Sequence, residues 1–261
     1  MQMKKQLSLH KASKRSIKDL RDHDFGHYLA GLIDGDGHIS SLGHIVISFN
    51  TRDERSAFEL RTRIGFGKLR QVKNKNAINL IISNKKGVVH VSNLIMNKIK
   101  HPIRISQFNE RLCIKLNYVS KKTSLDISID WDSFWFSGFM DADGYLRIYI
   151  PYRKHIKKHE VRLLCQIDQK TDKLLRQIQS RFGGFLGYRK TQDTFYYSSV
   201  SFESIFSLLR FFDIYSLQNT RSYLRYTIIR KAYLVIQKDL HLTSEGLEKL
   251  FSYKKLLKDM I

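Results

Sequence analysis

Apolar residues along the chain fall into two spacings, one near the helical repeat and one of every second residue, and the switch between them occurs in the same order twice. Helical spacing over "HYLAGLID" (27–34) gives way to alternation in "GHIVISFN" (43–50). A helical "DERSAFELRTRIG" (53–65) follows, then strands "FGKLRQV" (66–72) and "AINLIIS" (77–83) and a helical stretch to about residue 99. From Phe134, "FWFSGFMD" opens a second series with strands "YLRIYI" (145–150) and "EVRLLCQI" (160–167) and the helical "KTDKLLRQIQSRFG" (170–183). Strands "FLGYRK" (185–190) and "TFYYSSV" (194–200) and the helical "FESIFSLLRFF" (202–212) complete it. Each copy reads helix, strand, strand, helix, strand, strand, helix, an α+β repeat. The expected organisation is a basic arm (1–24), a first domain (25–118), a polar join without helical period (119–131), a second domain (132–240) and a C-terminal helix (241–261) capped by Thr243.

The two copies agree most closely where the first helix ends, in "LAGLIDGDG" (29–37) and "FSGFMDADG" (136–144), with Asp143 standing 107 residues after Asp36. Gly31 and Gly35 are four apart, and Gly138 and Ala142 take the same places. Small residues at that spacing let two helix backbones approach closely, so pairing of the copies through these faces brings Asp36 and Asp143 side by side at the helix C-termini. The helix dipole is negative there and two carboxylates repel, so both forces oppose ionisation and a divalent cation relieves them. Gly37 and Gly144 suit a left-handed turn that closes each helix. An EF-hand reading of Asp34-Gly35-Asp36 fails, because His38 and Ile39 occupy positions that such a loop gives to a ligand and a glycine.

Alternation also assigns faces to the strands. In 145–150, Leu146, Ile148 and Ile150 point one way and Tyr145, Arg147 and Tyr149 the other. Ile45, Ile47 and Phe49 likewise oppose His44, Ser48 and Asn50, and Val161, Leu163, Cys165 and Ile167 oppose Arg162 and Gln166. Lys68 and Arg70 share a face of a third strand, with Tyr188 and Lys190 as counterparts in the second copy. The second copy carries about ten extra residues, "PYRKHIKKHE" (151–160), a basic hairpin tip in which Arg153 and Lys154 suit backbone phosphates.

Charge gives these faces a partner. The 261 residues hold 46 Lys plus Arg against 24 Asp plus Glu, a formal net charge of +22, and the pI is about 10.0. A polyanion is the natural ligand, and nucleic acid is favoured over a membrane surface because no apolar run approaches the roughly 18 residues of a spanning helix. Arg, Gln, Asn and Ser on an exposed strand face can read base edges in a major groove. Cys113 and Cys165 are the only cysteines, far apart in apolar segments, so neither a disulfide framework nor a thiolate metal site is expected. His23 and His27 are four apart without a supporting apolar face and are not read as metal ligands. The basic first 22 residues resemble an organelle transit peptide until Asp19, Asp22 and Asp24 interrupt the pattern, and equally suit an arm along a phosphate backbone or a solvated tail.

At the duplicated motif the sequence resembles the LAGLIDADG homing endonucleases in their single-chain, two-motif form. Residues 29–37 differ from the family's name only at Gly35, and the second copy keeps Gly138 and the whole "DADG". The resemblance spans about residues 25 to 240. It implies a pseudo-twofold monomer in which two antiparallel four-stranded sheets form a saddle on double-stranded DNA, with the motif helices at the interface. It further implies Asp36 and Asp143 as catalytic metal ligands, assisted by the carbonyls of Gly35 and Ala142, with Mg²⁺ as cofactor and Mn²⁺ able to replace it. One carboxylate per copy addresses one strand each, giving a staggered double-strand break and intron homing. A basic residue near the start of each domain's last helix supports the scissile phosphate in the family. Its match here is Arg221 in the second copy, while in the first it falls near Ser106, with Arg104 or Lys100 as substitutes. The alternative is an RNA maturase assisting its host group I intron. Either role places the protein in an organelle, mitochondrion or chloroplast.

Overall fold

The computed structural model describes Leu7, Ser8 and residues 14–260. Part of the expected basic arm, residues 1–6 and 9–13, lies outside the described residues, as does Ile261. The chain divides into two compact units: one holds Arg15–Asp143 with Tyr215–Thr220, the other Gly144–Ile214 and Arg221–Ile261 with the described residues before Arg15.

The first unit opens with α1 (Asp22–Asp36), which runs into a sheet of β1 (Gly37–Ile39), β2 (Ile45–Asn50), β3 (Lys68–Gln71) and β4 (Ala77–Ile82). The strand order is β1-β2-β4-β3 and every pairing is antiparallel. Ile39, Ile45, Ile47, Leu80 and Ile82 are fully buried on one face; α2 (Glu54–Ile64) packs on β2, β3 and β4, and α3 (Lys85–Ile95) packs on α1. Gly65 ends α2 at φ 78°, a left-handed position for which glycine carries no side-chain penalty.

Beyond α3 the first copy contains one more helical element than its period suggests: α4 (Pro102–Gln107) continues as a π-helical segment, Phe108–Lys115. π-Helical winding is rare and marks a local demand on the backbone. Here buried Asn109 exchanges two hydrogen bonds with the backbone of Thr123, its Oδ1 accepting from the amide and its Nδ2 donating to the carbonyl. The polar join is thereby fixed to the helix, and Thr123 Oγ1 accepts a further bond from the Asn97 amide. The unit closes with α5 (Trp135–Asp143), the helix of the second motif.

In the second unit, β5 (Gly144–Tyr149), β8 (Arg162–Gln169), β9 (Phe185–Arg189) and β10 (Thr194–Ser199) form an antiparallel sheet in the order β5-β8-β10-β9, the connectivity of the first sheet repeated. The basic insertion forms the small hairpin β6 (Tyr152–Arg153) and β7 (Lys158–His159). Helices α6 (Lys173–Phe182) and α7 (Phe202–Ile214) supply Leu174, Leu175, Ile178, Leu208 and Phe212 to a core that also contains Leu163, Cys165, Ile167 and Tyr197. Helix α8 (Thr220–Gln237) and α9 (Ser244–Asp259) complete the chain, and Thr243 Oγ1 caps α9 by accepting from the Gly246 amide.

Candidate metal centre and strand faces

Helices α1 and α5 meet backbone to backbone. A Cβ added at Gly31 would lie 1.9 Å from the Trp135 carbonyl oxygen, and one at Gly138 would lie 2.0 Å from that of Tyr28. Gly35 faces Ala142, whose Cβ would be 2.4 Å away, so the glycine in one helix makes room for the alanine in the other. The small-residue spacing expected from the sequence therefore marks a real contact. The left-handed closure expected at Gly37 does not occur: φ is −99° and ψ 168°, extended backbone. Gly144 is also absent from the left-handed positions. Each helix passes straight into its strand, and glycine is required at 37 by proximity, because a Cβ would lie 2.6 Å from Ile33 Cα.

Two acids of the paired motifs serve the scaffold. Asp34 is buried, and its Oδ2 accepts from the Lys100 amide at 2.7 Å and from Trp135 Nε1 at 2.8 Å. Burial pushes its pKa up to about 7 against those bonds, because a buried carboxylate loses its hydration. Asp141 Oδ2 accepts from the Gln218 and Asn219 amides at 2.7 and 2.8 Å and from Tyr28 Oη at 3.0 Å. Each motif helix thus supplies an aromatic donor, Tyr28 or Trp135, to the acid of the other. The sequence reading missed this exchange; its available signal was that the two donors stand at the same place in the repeat.

Asp36 and Asp143, two residues further on, are the last residues of the two motif helices. Asp36 is exposed and Asp143 half-buried, and Asp143 Oδ2 lies 2.7 Å from where a Gly35 Cβ would be. Asp36 has its pKa raised to about 7, first by loss of hydration among the surrounding atoms and then by the Asp143 charge, with Arg104 opposing.

Arg104, in the last turn of α4, donates from Nε to the Ile33 carbonyl at 3.3 Å. Burial lowers its pKa, and the charges of Asp34, Asp143 and Asp36 pull the other way. Its charge thus acts on both carboxyl groups at the helix ends. Ser106 instead donates to Glu110, and Lys100 is turned to Asp126, 3.7 Å away. Gln107 Oε1 accepts from the Ile39 amide. Arg221 lies half-buried in the first turn of α8. Aligned on the amides that reach the two scaffold acids, Lys100 with Gln218, Arg221 matches Ile103 and Arg104 matches Ser222.

Among the described residues no group of three or more His, Cys, Asp and Glu side chains converges on a metal position. The donor set at the helix ends is two carboxylates next to the carbonyls of Gly35 and Ala142. Hard oxygen donors with an unfavourable charge pairing suit a hard divalent cation.

On the first sheet, register places Ser48, Asn79 and Arg70 abreast, with Lys68, Asn50 and, by alternation, His44 on the same face. Ser48 Oγ lies 3.0 Å from Asn79 Oδ1, and Asn50 also caps the turn that follows by accepting from the Arg52 amide. On the second sheet Tyr145 pairs with Gln166 and Tyr149 with Arg162, so these residues and Arg147 share a face. Glu160 orients Arg153 and Arg162 together, each donating from Nε to one carboxylate oxygen. Lys154 is exposed in the short turn after Arg153. Tyr188 lies opposite Phe195 on the other side of the sheet and donates to Asp193, and Lys190 falls beyond the strand. The residue that joins the exposed face is Arg189, bonded to Asp168 at 2.7 Å, with Gln166 on the same carboxylate. Its guanidinium also lies 4.3 Å from the Tyr196 ring centroid. The sequence reading missed Asn79, Asp168, Arg189 and Tyr196.

Two α+β repeats whose motif helices pair through glycines and each end in a carboxylate define a duplicated α+β scaffold. A family model for LAGLIDADG endonuclease matches residues 136–233. An uncharacterized cox1 intron-2 37.2 kDa protein of Schizosaccharomyces pombe is 42% identical over 250 residues, covering 94% of this chain and 76% of that protein. The intron-encoded RNA maturase bI4 of Saccharomyces cerevisiae is 27% identical over 195 residues, covering 72% of this chain but only 29% of the relative. Among solved structures, meganuclease I-SmaMI bound to uncleavable DNA superposes with a TM-score of 0.68 at 19% identity, covering 94% of this chain and 97% of that one. LAGLIDADG meganuclease I-CpaMI bound to uncleaved DNA gives 0.68 at 17%, covering 88% and 98%. The chain belongs to the LAGLIDADG homing endonuclease family.

Proposed function

We propose that the protein is a monomeric, site-specific endonuclease that hydrolyses one phosphodiester in each strand of a long duplex target, leaving a staggered break that promotes intron homing. The observation that carries this reading is the nearness of two carboxyl groups, Asp36 and Asp143, at the ends of helices that approach closely at Gly31 and Gly138. A bound Mg²⁺, with Mn²⁺ able to replace it, supplies an activated water and charge neutralisation at the phosphate. The chain's own part is to hold the two carboxylates and the Gly35 and Ala142 carbonyls in register. Arg104 offsets the charge that develops on the scissile phosphate in one strand, and Arg221 is the candidate for the other. Support for a divalent ion comes from a related solved structure, I-SmaMI bound to uncleaved DNA in the presence of calcium ions.

The strand residues Ser48, Asn50, Lys68, Arg70, Arg147, Arg162 and Gln166 fit base and phosphate recognition on their own sheets. Intron-encoded relatives, including one named for a cox1 intron, support action in a mitochondrion on the uninterrupted copy of the host gene. The test is incubation with DNA carrying that uninterrupted junction and Mg²⁺, with end-labelled strands. Cutting at one position per strand supports the proposal, and intact DNA at saturating protein refutes it. A second reading, assistance to splicing of a host intron RNA, is favoured by the likeness to the bI4 maturase and predicts faster splicing of that intron in the same preparation.

A further inference from the structure

We propose that a cleft in the second unit, between β5 and α9, binds an unpaired nucleotide of a single-stranded nucleic acid. The inference does not depend on the nuclease reading.

Helix α9 is anchored by Leu250 and Leu257, buried and seven residues apart, and its flank beside β5 leaves an open cleft of ≈ 390 Å³. Buried Ile148 and Leu257 line it, and so do four cations, Arg147, Lys254, Lys255 and Lys258, with no carboxylate among the lining residues. Gathering four like charges is unfavourable without an anion to offset them. The apolar lining narrows the choice of anion. Duplex backbone needs only a charged surface, because its bases are stacked inside, whereas an unpaired nucleotide presents a flat apolar base together with its phosphate.

The rim supplies the aromatic faces such a base requires. Phe251, 37% exposed, stands edge-on to His159 with ring centroids 5.2 Å apart, and His159 in turn meets Tyr152 at 5.1 Å. Tyr152 and Tyr149 are 53% and 49% exposed. Exposed rings running from the β6–β7 hairpin to α9, interleaved with lysines, are the composition of a surface that tracks a single strand by stacking and charge. The cleft also has room for roughly one nucleotide, at the lower end of the usual range for small-molecule sites.

The test uses the full chain and fluorescence anisotropy at about 150 mM salt, with labelled oligouridylate and oligothymidylate of about 12 nucleotides and a duplex of unrelated sequence. Phe251→Ala, and separately Lys255→Glu with Lys258→Glu, should each weaken single-strand binding about tenfold or more while duplex binding changes about twofold or less. Preference for the uridylate over an oligodeoxyuridylate of the same length would identify RNA as the source of the strand through its 2′-hydroxyls; equal binding of those two would mean either strand serves. A bromouracil-substituted oligonucleotide should photocrosslink to the peptide containing Phe251 or Tyr152, a readout that needs only the unaltered protein. Unchanged single-strand affinity in both variants, an equal fall for duplex and single strand, or a crosslink mapping elsewhere would overturn the proposal.

Discussion

Replacing Gly31 with alanine tests the helix pairing on which the carboxyl pair depends. The added Cβ would sit 1.9 Å from the Trp135 carbonyl oxygen and 2.9 Å from the Phe139 amide nitrogen, where ordinary contact begins near 3.4 Å. Both atoms are backbone, so no side-chain rotation relieves the clash and the helices must part by about 1.5 Å. Overpacking of that kind costs about 1 to 3 kcal/mol. Parting also lengthens the 2.8 Å bond from Trp135 Nε1 to Asp34, and a buried partner left unpaired costs about 1 to 3 kcal/mol more. Alanine's better helix propensity returns about 1 kcal/mol. The net loss is therefore about 1 to 5 kcal/mol, a large part of the stability of an ordinary domain. Urea unfolding followed by tryptophan fluorescence reads it. A Gly31→Ala protein within about 0.5 kcal/mol of the parent, at equal slope against urea, would show that the helices do not pair as described.

Asp36→Asn or Asp143→Asn should abolish cutting of target DNA yet leave affinity for it within about tenfold; full cutting by either variant removes the carboxyl pair from the mechanism. Arg104→Ala should slow cleavage by about 10²- to 10³-fold, unequally on the two strands, so that nicked plasmid accumulates in a time course; equal slowing of both strands would deny it a place at one phosphate. Burial, followed by the nearby Lys98 and His23 charges, lowers the His27 pKa to about 4, so the unfolded chain takes up this proton first as pH falls. The neutral ring's contribution is complete above about pH 6.5 and about 2 kcal/mol is lost by about pH 5. His27→Gln should flatten that part of the stability profile, and an unchanged profile assigns the pH dependence elsewhere. Duplex binding should weaken with salt at a slope steeper than about −4 in logarithmic units, because a chain of charge +22 neutralises many phosphates; a flat response assigns the charge another purpose.

The repeat was legible in the sequence because its cues are local. Strand 145–150 alternates cleanly between apolar and polar residues, and Leu146 and Ile148 are indeed buried while Arg147 and Tyr149 are exposed. The motif glycines declared the helix contact for the same reason, since spacing alone placed them on one face. Edge strand 185–189 gave no such cue. Phe185 is exposed and Leu186 and Gly187 are half-buried, so faces can be assigned only from pairing, which puts Arg189 rather than Tyr188 with Gln166. Asp34 could not be separated from Asp36 by composition, because the partners that hold it are 66 and 101 residues away. The π-helical segment left no mark in the periodicity, its visible correlate being a buried Asn109 bonded to Thr123.

The crossed bonds from Tyr28 to Asp141 and from Trp135 to Asp34 bear on how such a chain can change over generations. After a duplication, identical halves satisfy both bonds automatically, but here one donor is a phenol and the other an indole, so the halves have become specific to each other. A recombinant that takes its first half from this chain and its second from a relative inherits each buried acid from one parent and its aromatic donor from the other. Where the incoming residue at 28 or 135 is a plain hydrocarbon ring, an acid loses a partner in the interior. Exchange of DNA preference by swapping halves is thus constrained by two positions that need never touch DNA, and successful hybrids should carry them over together.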